Sequence, residues 1–346
     1  MKKYFLLLLM PAFCLAAYSQ NKSDKAYLTK SFSGESINSV VSETSGGNIT
    51  VTAVDPSGSH VEVFVNQNNN WKKALSDDEI KSRIEDDYDL TVSVTNNKLT
   101  ATAKPKHRIT DWKKALSFSF KIYISKTADA DLQTSGGNIE LTGLTGKKDF
   151  STSGGNLVLN DLEGKTKGRT SGGNIYLRSS KDDLDLTTSG GNIDAANSAG
   201  DINMSTSGGS IKIEGLKGNI KVGTSGGNIK GEAIDGDLSA QTSGGNVSLQ
   251  GLSCSLKTST SGGNIDVSMS SLGKFISINN SAGRVNLQLP KSAAVDLKLS
   301  AMKISTGTME NFKGSLEKDE VNGALNGGGV PVTVHAGSGH INLEFN

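Results

Sequence analysis

Apolar and polar residues alternate along most of the chain, and the alternation restarts with an 18-residue period. In the unit that begins at Thr206, apolar residues stand at Ile211 and Ile213 and again at Ile220 and Val222. Alternation of this kind is typical of β-strands with one buried face. The repeat is too short for a pair of helices, so we expect each unit to form two strands and two connections.

The phrase TSGGN marks one connection in each unit. It starts at residues 134, 152, 170, 188, 224, 242 and 260, with TSGGS at 206. Paired glycines among small polar residues indicate a tight corner, and we expect both glycines to adopt backbone angles that a side chain would forbid. No single coil can bury both of its strands, so burial must come from the next coil, stacked about 4.8 Å away. The pattern therefore predicts an all-β fold, a parallel β-helix or solenoid with 18-residue coils.

Stacking in register would place equivalent residues in columns. The corner asparagines, from Asn138 to Asn264, would form one ladder whose amides hydrogen-bond up and down the column, and the corner threonines would form a second. On the outer surface, opposite charges would alternate along the column of Asp149, Lys167 and Asp185. Such neighbours attract across strands, which favours this register.

The spiral extends beyond the regular array in both directions. TSGGNI already stands at 44–49, a degenerate corner at 280–285, and a last repeat at 336–341. The stretch Ser76-Asp77-Asp78-Glu79 is suited to cap a short inserted helix through Ile80 and Ile84. We expect one continuous spiral with these parts: signal peptide 1–19, N-terminal coils 20–132 with an inserted loop and helix at 66–90, regular array 133–284, and irregular C-terminal coils with a cap at 285–346.

The first nineteen residues have the features of a signal peptide. Two lysines precede an apolar run at residues 4–10, and residues 17–19 form a small-x-small cleavage signal. The apolar run is too short to span a bilayer, and no later stretch of sequence predicts a transmembrane segment. We therefore expect an exported protein. Lipidation at Cys14 is the less favoured alternative. A lipidated cysteine normally follows a small residue, and the residue before Cys14 is Phe13.

Charge and cysteine content restrict the partners and the chemistry. Without its first nineteen residues the chain loses two lysines and no acids, which leaves 34 basic and 35 acidic residues. This balance argues against nucleic-acid binding, which needs a basic stripe. Cys254 is then the only cysteine, so no intramolecular disulfide can form. It stands where most other repeats have a turn glycine, and no histidine is near it in sequence, which favours a tolerated small residue over a nucleophile.

The outer positions after each corner contain no acidic cluster. Polysaccharide lyases and hydrolases need carboxylates that converge in one groove. The one notable mixture is Arg178 one coil from Asp194, which predicts an ordinary ion pair between coils. Calcium-binding β-rolls carry aspartate where this chain carries asparagine, and His335 and His340 have no companion ligands at metal spacing. We therefore predict no catalytic activity, no cofactor and no metal.

The hexamer WKKALS occurs twice, at 71–76 and 112–117, and holds both tryptophans of the chain. If strands at 61–65 and 118–124 stack, both segments leave from the same end of the spiral. They would cap the thin core, which is the favoured interpretation. Alternatively, stacking and cation contacts would bind a glycan or an envelope protein. The residues of that alternative surface are Trp71, Lys72, Lys73, Trp112, Lys113 and Lys114.

Taken together, these features resemble the bacterial putative-adhesin family, domains of unknown function built as single-stranded β-helices. The shared features are the signal peptide, the early TSGGNI coil, the helical insertion, the SGGxI turns and the terminal GGGVPVTVHAGSGHINL. The resemblance covers the chain from about Ile37 onward. It implies a right-handed helix and an exported or envelope-associated location, and it supplies no catalytic or binding residues.

The functional hypothesis is accordingly a non-enzymatic, exported binding or scaffold module, adhesin-like, at the bacterial cell envelope. A glycan or an envelope protein is the partner that such a module would take. Two alternatives stay open at this point. One is a carbohydrate-active β-helix enzyme, and the other is an envelope-stress sensor that acts through a protein partner.

Overall fold

The computed structural model describes residues 25–67, 75–108 and 115–346. Over these residues all strands join in one continuous sheet that winds into a solenoid. One α-helix, α1 (Asp77–Asp87), and one 3-10 turn at Pro56–Gly58 interrupt the strands. The predicted all-β class with a short helical insertion near the N-terminus is confirmed.

The N-terminal strands are β1 (Leu28–Ser31), β2 (Ser39–Thr44), β3 (Ile49–Val54), β4 (His60–Gln67), β5 (Tyr88–Thr95), β6 (Lys98–Pro105), β7 (Leu116–Ser125) and β8 (Asp129–Thr134). The regular coils contain β9 (Ile139–Thr142), β10 (Lys148–Thr152), β11 (Leu157–Asn160), β12 (Thr166–Thr170), β13 (Ile175–Arg178), β14 (Lys181–Thr188), β15 (Ile193–Ala196), β16 (Ala199–Thr206), β17 (Ile211–Glu214), β18 (Lys217–Thr224), β19 (Ile229–Glu232) and β20 (Asp235–Thr242). The C-terminal strands are β21 (Val247–Thr260), β22 (Ile265–Asn280), β23 (Arg284–Leu289), β24 (Val295–Thr306), β25 (Phe312–Leu316), β26 (Glu320–Leu325) and β27 (Val330–Phe345).

Each regular coil contributes one strand that leads into the TSGGN corner and one that leaves it. We call the two stacks of strands the entry wall and the exit wall. In the entry wall, Thr152 lies beside Thr134 in one neighbouring coil and beside Thr170 in the other. In the exit wall, Leu157 lies between Ile139 and Ile175 in the same way. All these pairs are parallel and one repeat apart, so the predicted coil length and register are confirmed.

The early TSGGNI segment belongs to the same stack although a long stretch of chain separates it from the next corner. Thr44 pairs with Thr134, and Ile49 pairs with Ile139. The intervening chain ends both walls with antiparallel strands: β5 pairs with β6, β4 with β7, and β1 with β4. Ser76 is the N-cap of helix α1, as predicted, and Glu79 completes a capping box there.

The C-terminal coils leave the regular spacing. Asn280 pairs with Thr260, two residues out of phase, and with Ala336 on its other side. Strand β27 pairs in parallel with β22, β23 and β24, and the hairpin of β25 and β26 ends the entry wall through antiparallel pairing with β24. The corners at 280–285 and 336–341 therefore continue the spiral as the sequence pattern indicated.

The core is a set of interior columns that run through all coils. The first residue after each corner is buried at no more than 1% exposure, as in Ile139, Ile175 and Ile211. A buried aliphatic side chain contributes about 1.5–3 kcal/mol, and each one here packs on its equivalents in adjacent coils. Cys254 lies opposite Gly236, the turn position that the repeat predicted, and is also buried.

Candidate functional site

The corner threonines connect the backbone of one coil to the backbone of the next. Thr152 Oγ1 donates to the carbonyl oxygen of Gly137, one coil away, at 2.8 Å. The same hydroxyl accepts the N–H of Gly155 in its own corner at 3.2 Å. Equivalent pairs of bonds recur from Thr134 to Thr260. The expected threonine column is present, and its bonds join hydroxyls to glycine backbones.

The corner asparagines also bond to the backbone of the neighbouring coil. Asn156 N–H donates to Asn138 Oδ1 at 2.8 Å, and Asn174 N–H donates to Asn156 Oδ1 at the same distance. The column is as predicted, but its principal bonds run from backbone to carboxamide oxygen. A corner turns its N–H away from the strand ladder, and the side-chain oxygen of the previous coil satisfies it. Ser210 replaces the carboxamide once, and its Oγ accepts the N–H of Asn228 at 3.2 Å.

The two corner glycines have different roles, which corrects the expectation that both need angles forbidden to other residues. Neither Gly154 nor Gly155 has a left-handed φ. A Cβ on Gly155 would lie 1.8 Å from the carbonyl oxygen of Gly137, whereas a Cβ on Gly154 would meet its nearest atom at 3.8 Å. Close approach of two coils therefore requires the second glycine, and the first has room for a methyl group.

A buried lysine at the other end of the entry strand, away from the TSGGN corner, was missing from the residues that the sequence indicated. Lys148 is fully buried on the inner face of β10. Its Nζ donates to three backbone carbonyl oxygens, those of Leu144 at 3.3 Å, Gly146 at 2.6 Å and Glu163. Three acceptors match the three N–H groups of an ammonium. Burial nevertheless lowers the pKa of Lys148 to about 8. The alternation of the strand could have indicated this burial, because Lys148 and Phe150 stand two residues apart and therefore face the same, inner side.

The outer face of the exit wall is charged in the central coils. Arg178 Nη2 lies 3.2 Å from Asp194 Oδ1, which confirms the predicted ion pair between coils. Lys212 Nζ lies 3.2 Å from Glu214 Oε2 on the outer face of β17. These side chains are partly exposed, so they stabilise the wall by at most about 1 kcal/mol per pair.

Two grooves mark the outer surface of the described residues. One, of about 300 Å³, follows the corners and is lined mainly by serine and threonine hydroxyls together with Gln133 and Arg169. No carboxylate lines it. The other, of about 190 Å³, lies on the C-terminal part of the exit wall and is lined mainly by amide and carboxylate side chains. We call the second one the amide groove.

The six residues proposed as a partner surface lie outside the described residues. They are Trp71, Lys72, Lys73, Trp112, Lys113 and Lys114. The strands next to them do pair, since Val61 faces Ile122 and Gln67 faces Leu116 in an antiparallel ladder. The assignment of these six residues as a cap or as a binding surface stays a prediction.

The remaining candidates do not assemble into a catalytic or metal-binding group. Burial raises the pKa of the Cys254 thiol to about 12, which opposes thiolate formation. His335 and His340 are both exposed on β27. Across the described ranges, no three His, Cys, Asp or Glu side chains gather as they would to hold a metal ion. None of the helices described is long and apolar enough to cross a membrane.

Fold and corners together define the class, an all-β solenoid whose coils turn at TSGGN. The chain belongs to the Toastrack DUF4097 family, whose model matches residues 166–344. This match confirms the resemblance to a β-helical domain of unknown function. No curated protein matched the chain.

Two solved structures align with most of the chain at low identity. One is a "putative cell adhesion protein" from Clostridium sporogenes, 11% identical over 92% of this chain and 98% of that chain, with a TM-score of 0.17. The other is a "putative adhesin" from Bacteroides fragilis, 12% identical over 94% of this chain and 98% of that chain, with a TM-score of 0.29. At such scores the alignments carry no argument about function.

Proposed function

We propose that this chain is an exported, non-enzymatic β-solenoid that serves as an adhesin-like binding or scaffold module at the bacterial cell envelope. The observation that carries the proposal is the arrangement of the outer walls. In-register coils present long, extended surfaces, and the corner bonds tie every coil to the next. Extended surfaces of stacked repeats suit contact with an extended partner.

The distribution of carboxylates in the grooves favours binding over hydrolysis. The corner groove has none, and in the amide groove Asp266 and Glu344 each accept a hydrogen bond from an asparagine, Asn286 and Asn342 respectively. Asp266 and Glu344 belong to different columns two coils apart, at about 4.8 Å per coil. A glycoside hydrolase needs two carboxyl groups that act together on one glycosidic bond, whereas each of these two carboxylates is already bonded to an asparagine of its own wall.

The test compares envelope binding with turnover on the same material. Purified mature protein should bind isolated cell envelopes saturably and release no reducing ends from them. Release of reducing ends above a heat-denatured control would favour the carbohydrate-active enzyme instead. Export is tested separately by the mass of the mature chain, which should begin at Gln20, and by protease accessibility on intact cells.

The two WKKALS segments have their own test within this proposal. Replacement of Trp71 and Trp112 by alanine should lower the melting temperature if the tryptophans cap the core. An unchanged melting temperature together with loss of envelope binding would favour the alternative, a partner surface.

A further inference from the structure

The amide groove lies where the uniform spacing of the repeats ends. Its polar walls come from β21, β22, β23 and the end of β27, so segments far apart in sequence form one surface. Two columns of outward side chains border it. The first contains Asp266, Asn286 and Asn342, and the second contains Ser268, Gln288 and Glu344.

Hydrogen bonds hold these side chains in fixed relative positions. Asn286 Nδ2 donates to Asp266 Oδ1 at 2.5 Å, and Ser268 Oγ donates to Gln288 Oε1 at 3.0 Å, both between coils. Asn342 Nδ2 donates to Glu344 Oε1 at 2.8 Å, which links the two columns. With these bonds made, further amide N–H groups and oxygen lone pairs of the same side chains stay available to a ligand.

The chemistry of the lining selects the class of ligand. Seven of the ten lining residues are polar: four carboxamides including Gln250, two carboxylates and one serine. None of the ten is lysine or arginine, so the two carboxylates repel phosphate, sulfate and uronic acid groups. Leu249, Val267 and Leu287 are at most 4% exposed. The groove therefore offers none of the aromatic, arginine or exposed apolar anchors on which protein interfaces depend.

We propose that the amide groove binds a neutral glycan, through hydrogen bonds from its carboxamides and carboxylates to sugar hydroxyl groups. A hydroxyl donates and accepts at once, and a carboxamide beside a carboxylate provides both kinds of partner. The volume of about 190 Å³ is below the range of about 300–1,000 Å³ typical of small-molecule sites, so the groove accepts only part of a longer chain. This inference deepens the proposed function, because it names a ligand and a site for the binding module.

The experiment uses the full mature chain on an array of neutral and acidic oligosaccharides, with the same proteins tested on isolated envelopes. Wild type should bind neutral oligosaccharides, with little dependence on salt because no charged ligand group is involved. The variant Asn286→Ala/Asn342→Ala should weaken this binding about tenfold, about 1.4 kcal/mol. The matched control, Lys212→Ala/Lys230→Ala, changes two neighbours in the same outer column of the central coils and should leave binding unchanged.

A second variant keeps the test decisive if the asparagine pair fails to fold. Gln288→Ala removes one carboxamide at a half-buried outer position, and its melting temperature should stay near that of wild type. Absence of binding to every neutral oligosaccharide, or equal binding by the groove and control variants, would overturn the inference. If the groove variants bind envelopes as wild type does, the assignment of the site to the amide groove is wrong, while the proposed binding function stands. If wild type itself does not bind envelopes, the proposed function fails.

Discussion

The corner column and the outer exit wall belong to the same coils, yet they differ sharply in how much their residues vary. Every regular corner repeats threonine and two glycines, and all but one repeat asparagine. The outer exit column instead changes at every coil from Glu140 to Lys212. Its members in order are Glu140, Val158, Tyr176, Asp194 and Lys212.

The difference follows from what each side chain contacts. Corner side chains bond to the backbone of the next coil, or leave space for it, so a change in one coil disturbs two. Outer side chains contact water and one another, so their chemistry can change without cost to the stack. Two substituted corner positions support this interpretation: Ser210 still accepts a backbone N–H, and buried Asn280, in the irregular corner at 280–285, donates to the carbonyl oxygen of Gly263 as a threonine would. Residues of the outer wall can therefore be substituted as binding requires, whereas corner residues are restricted by the contacts between coils.

The strongest test of this comparison is the two glycines of one corner. Gly155→Ala would place Cβ 1.8 Å from the Gly137 oxygen, so coils must separate, and we expect a loss of about 3 kcal/mol or more. Gly154→Ala meets nothing closer than 3.8 Å and should change stability by no more than about 0.5 kcal/mol. Urea unfolding monitored by circular dichroism measures both. Equal losses would contradict the close-approach explanation.

The next largest effect is expected at the threonine that bonds to this corner from the next coil. Thr170→Val keeps the shape but leaves the Gly155 oxygen and the Gly173 N–H without their partner, 2.7 and 3.2 Å from the hydroxyl. Two buried groups without partners should cost about 1–3 kcal/mol in the free energy of unfolding. Thr170→Ser keeps the hydroxyl and serves as the control. A serine variant as unstable as the valine variant would show that packing of the methyl group matters more than the bonds.

Much of this in-register stack could be predicted from the sequence. If each 18-residue unit forms one coil, identical residues one repeat apart must lie next to each other. The register, the threonine column, the helix cap at Ser76 and the Arg178 to Asp194 pair depend only on sequence spacing. Other features depend on distances between atoms. These are the closeness of Gly155 to the coil below, the use of asparagine oxygens by backbone N–H groups, and the burial of Lys148.

The amide groove was unpredictable for a different reason. Its coils no longer keep the regular period, so Asn286 pairs with Asn342 although no multiple of the repeat length relates their positions. The corners at 280–285 and 336–341 give both residues the same position in a coil, but no fixed period shows that these two coils are neighbours. The outer residues of the central coils, in contrast, could be listed in pairs from the repeat alone.

Lys148 extends the comparison to the interior, because its titration makes the free energy of unfolding depend on pH. Its pKa of about 8 in the folded chain is below the usual 10.5, so between these values the unfolded chain holds a proton that the folded chain has released. The free energy of unfolding should therefore rise with pH in that window, by up to about 1.4 kcal/mol per pH unit. Below pH 8 the lowered pKa is a cost.

Measurement of urea unfolding from pH 7 to 10.5, for wild type and Lys148→Met, tests this slope. The variant should lack the rise. The thiol of Cys254 has the opposite sign, because its raised pKa of about 12 lowers stability above its usual 9.0. It is present in both proteins and cancels in their difference. Parallel curves for the two proteins would mean that Lys148 keeps its ordinary pKa when folded.

A smaller effect is expected at the asparagine column. Asn174→Ala removes the oxygen that accepts the N–H of Asn192 at 2.8 Å. Because Asn192 is exposed, water can replace the lost partner, and the cost should be about 0.5–1 kcal/mol. Asn174→Ser imitates the arrangement at Ser210 and should cost less than the alanine variant. Equal costs would indicate that the side-chain oxygen does not support the stack.

The smallest effect is expected on the outer wall itself, at the pair of Arg178 and Asp194. Arg178→Ala removes an ion pair at 3.2 Å and a bond from Nη1 to the Asp194 carbonyl oxygen at 2.8 Å. Asp194→Ala removes the ion pair alone, so a double-mutant cycle of the two changes isolates the side-chain interaction. Both side chains are about one-third exposed or more, and the coupling energy should be about 0.2–1 kcal/mol and should fall with added salt. A salt-independent coupling as large as the threonine effect would place this outer pair in the same class as the corners and remove the distinction between them.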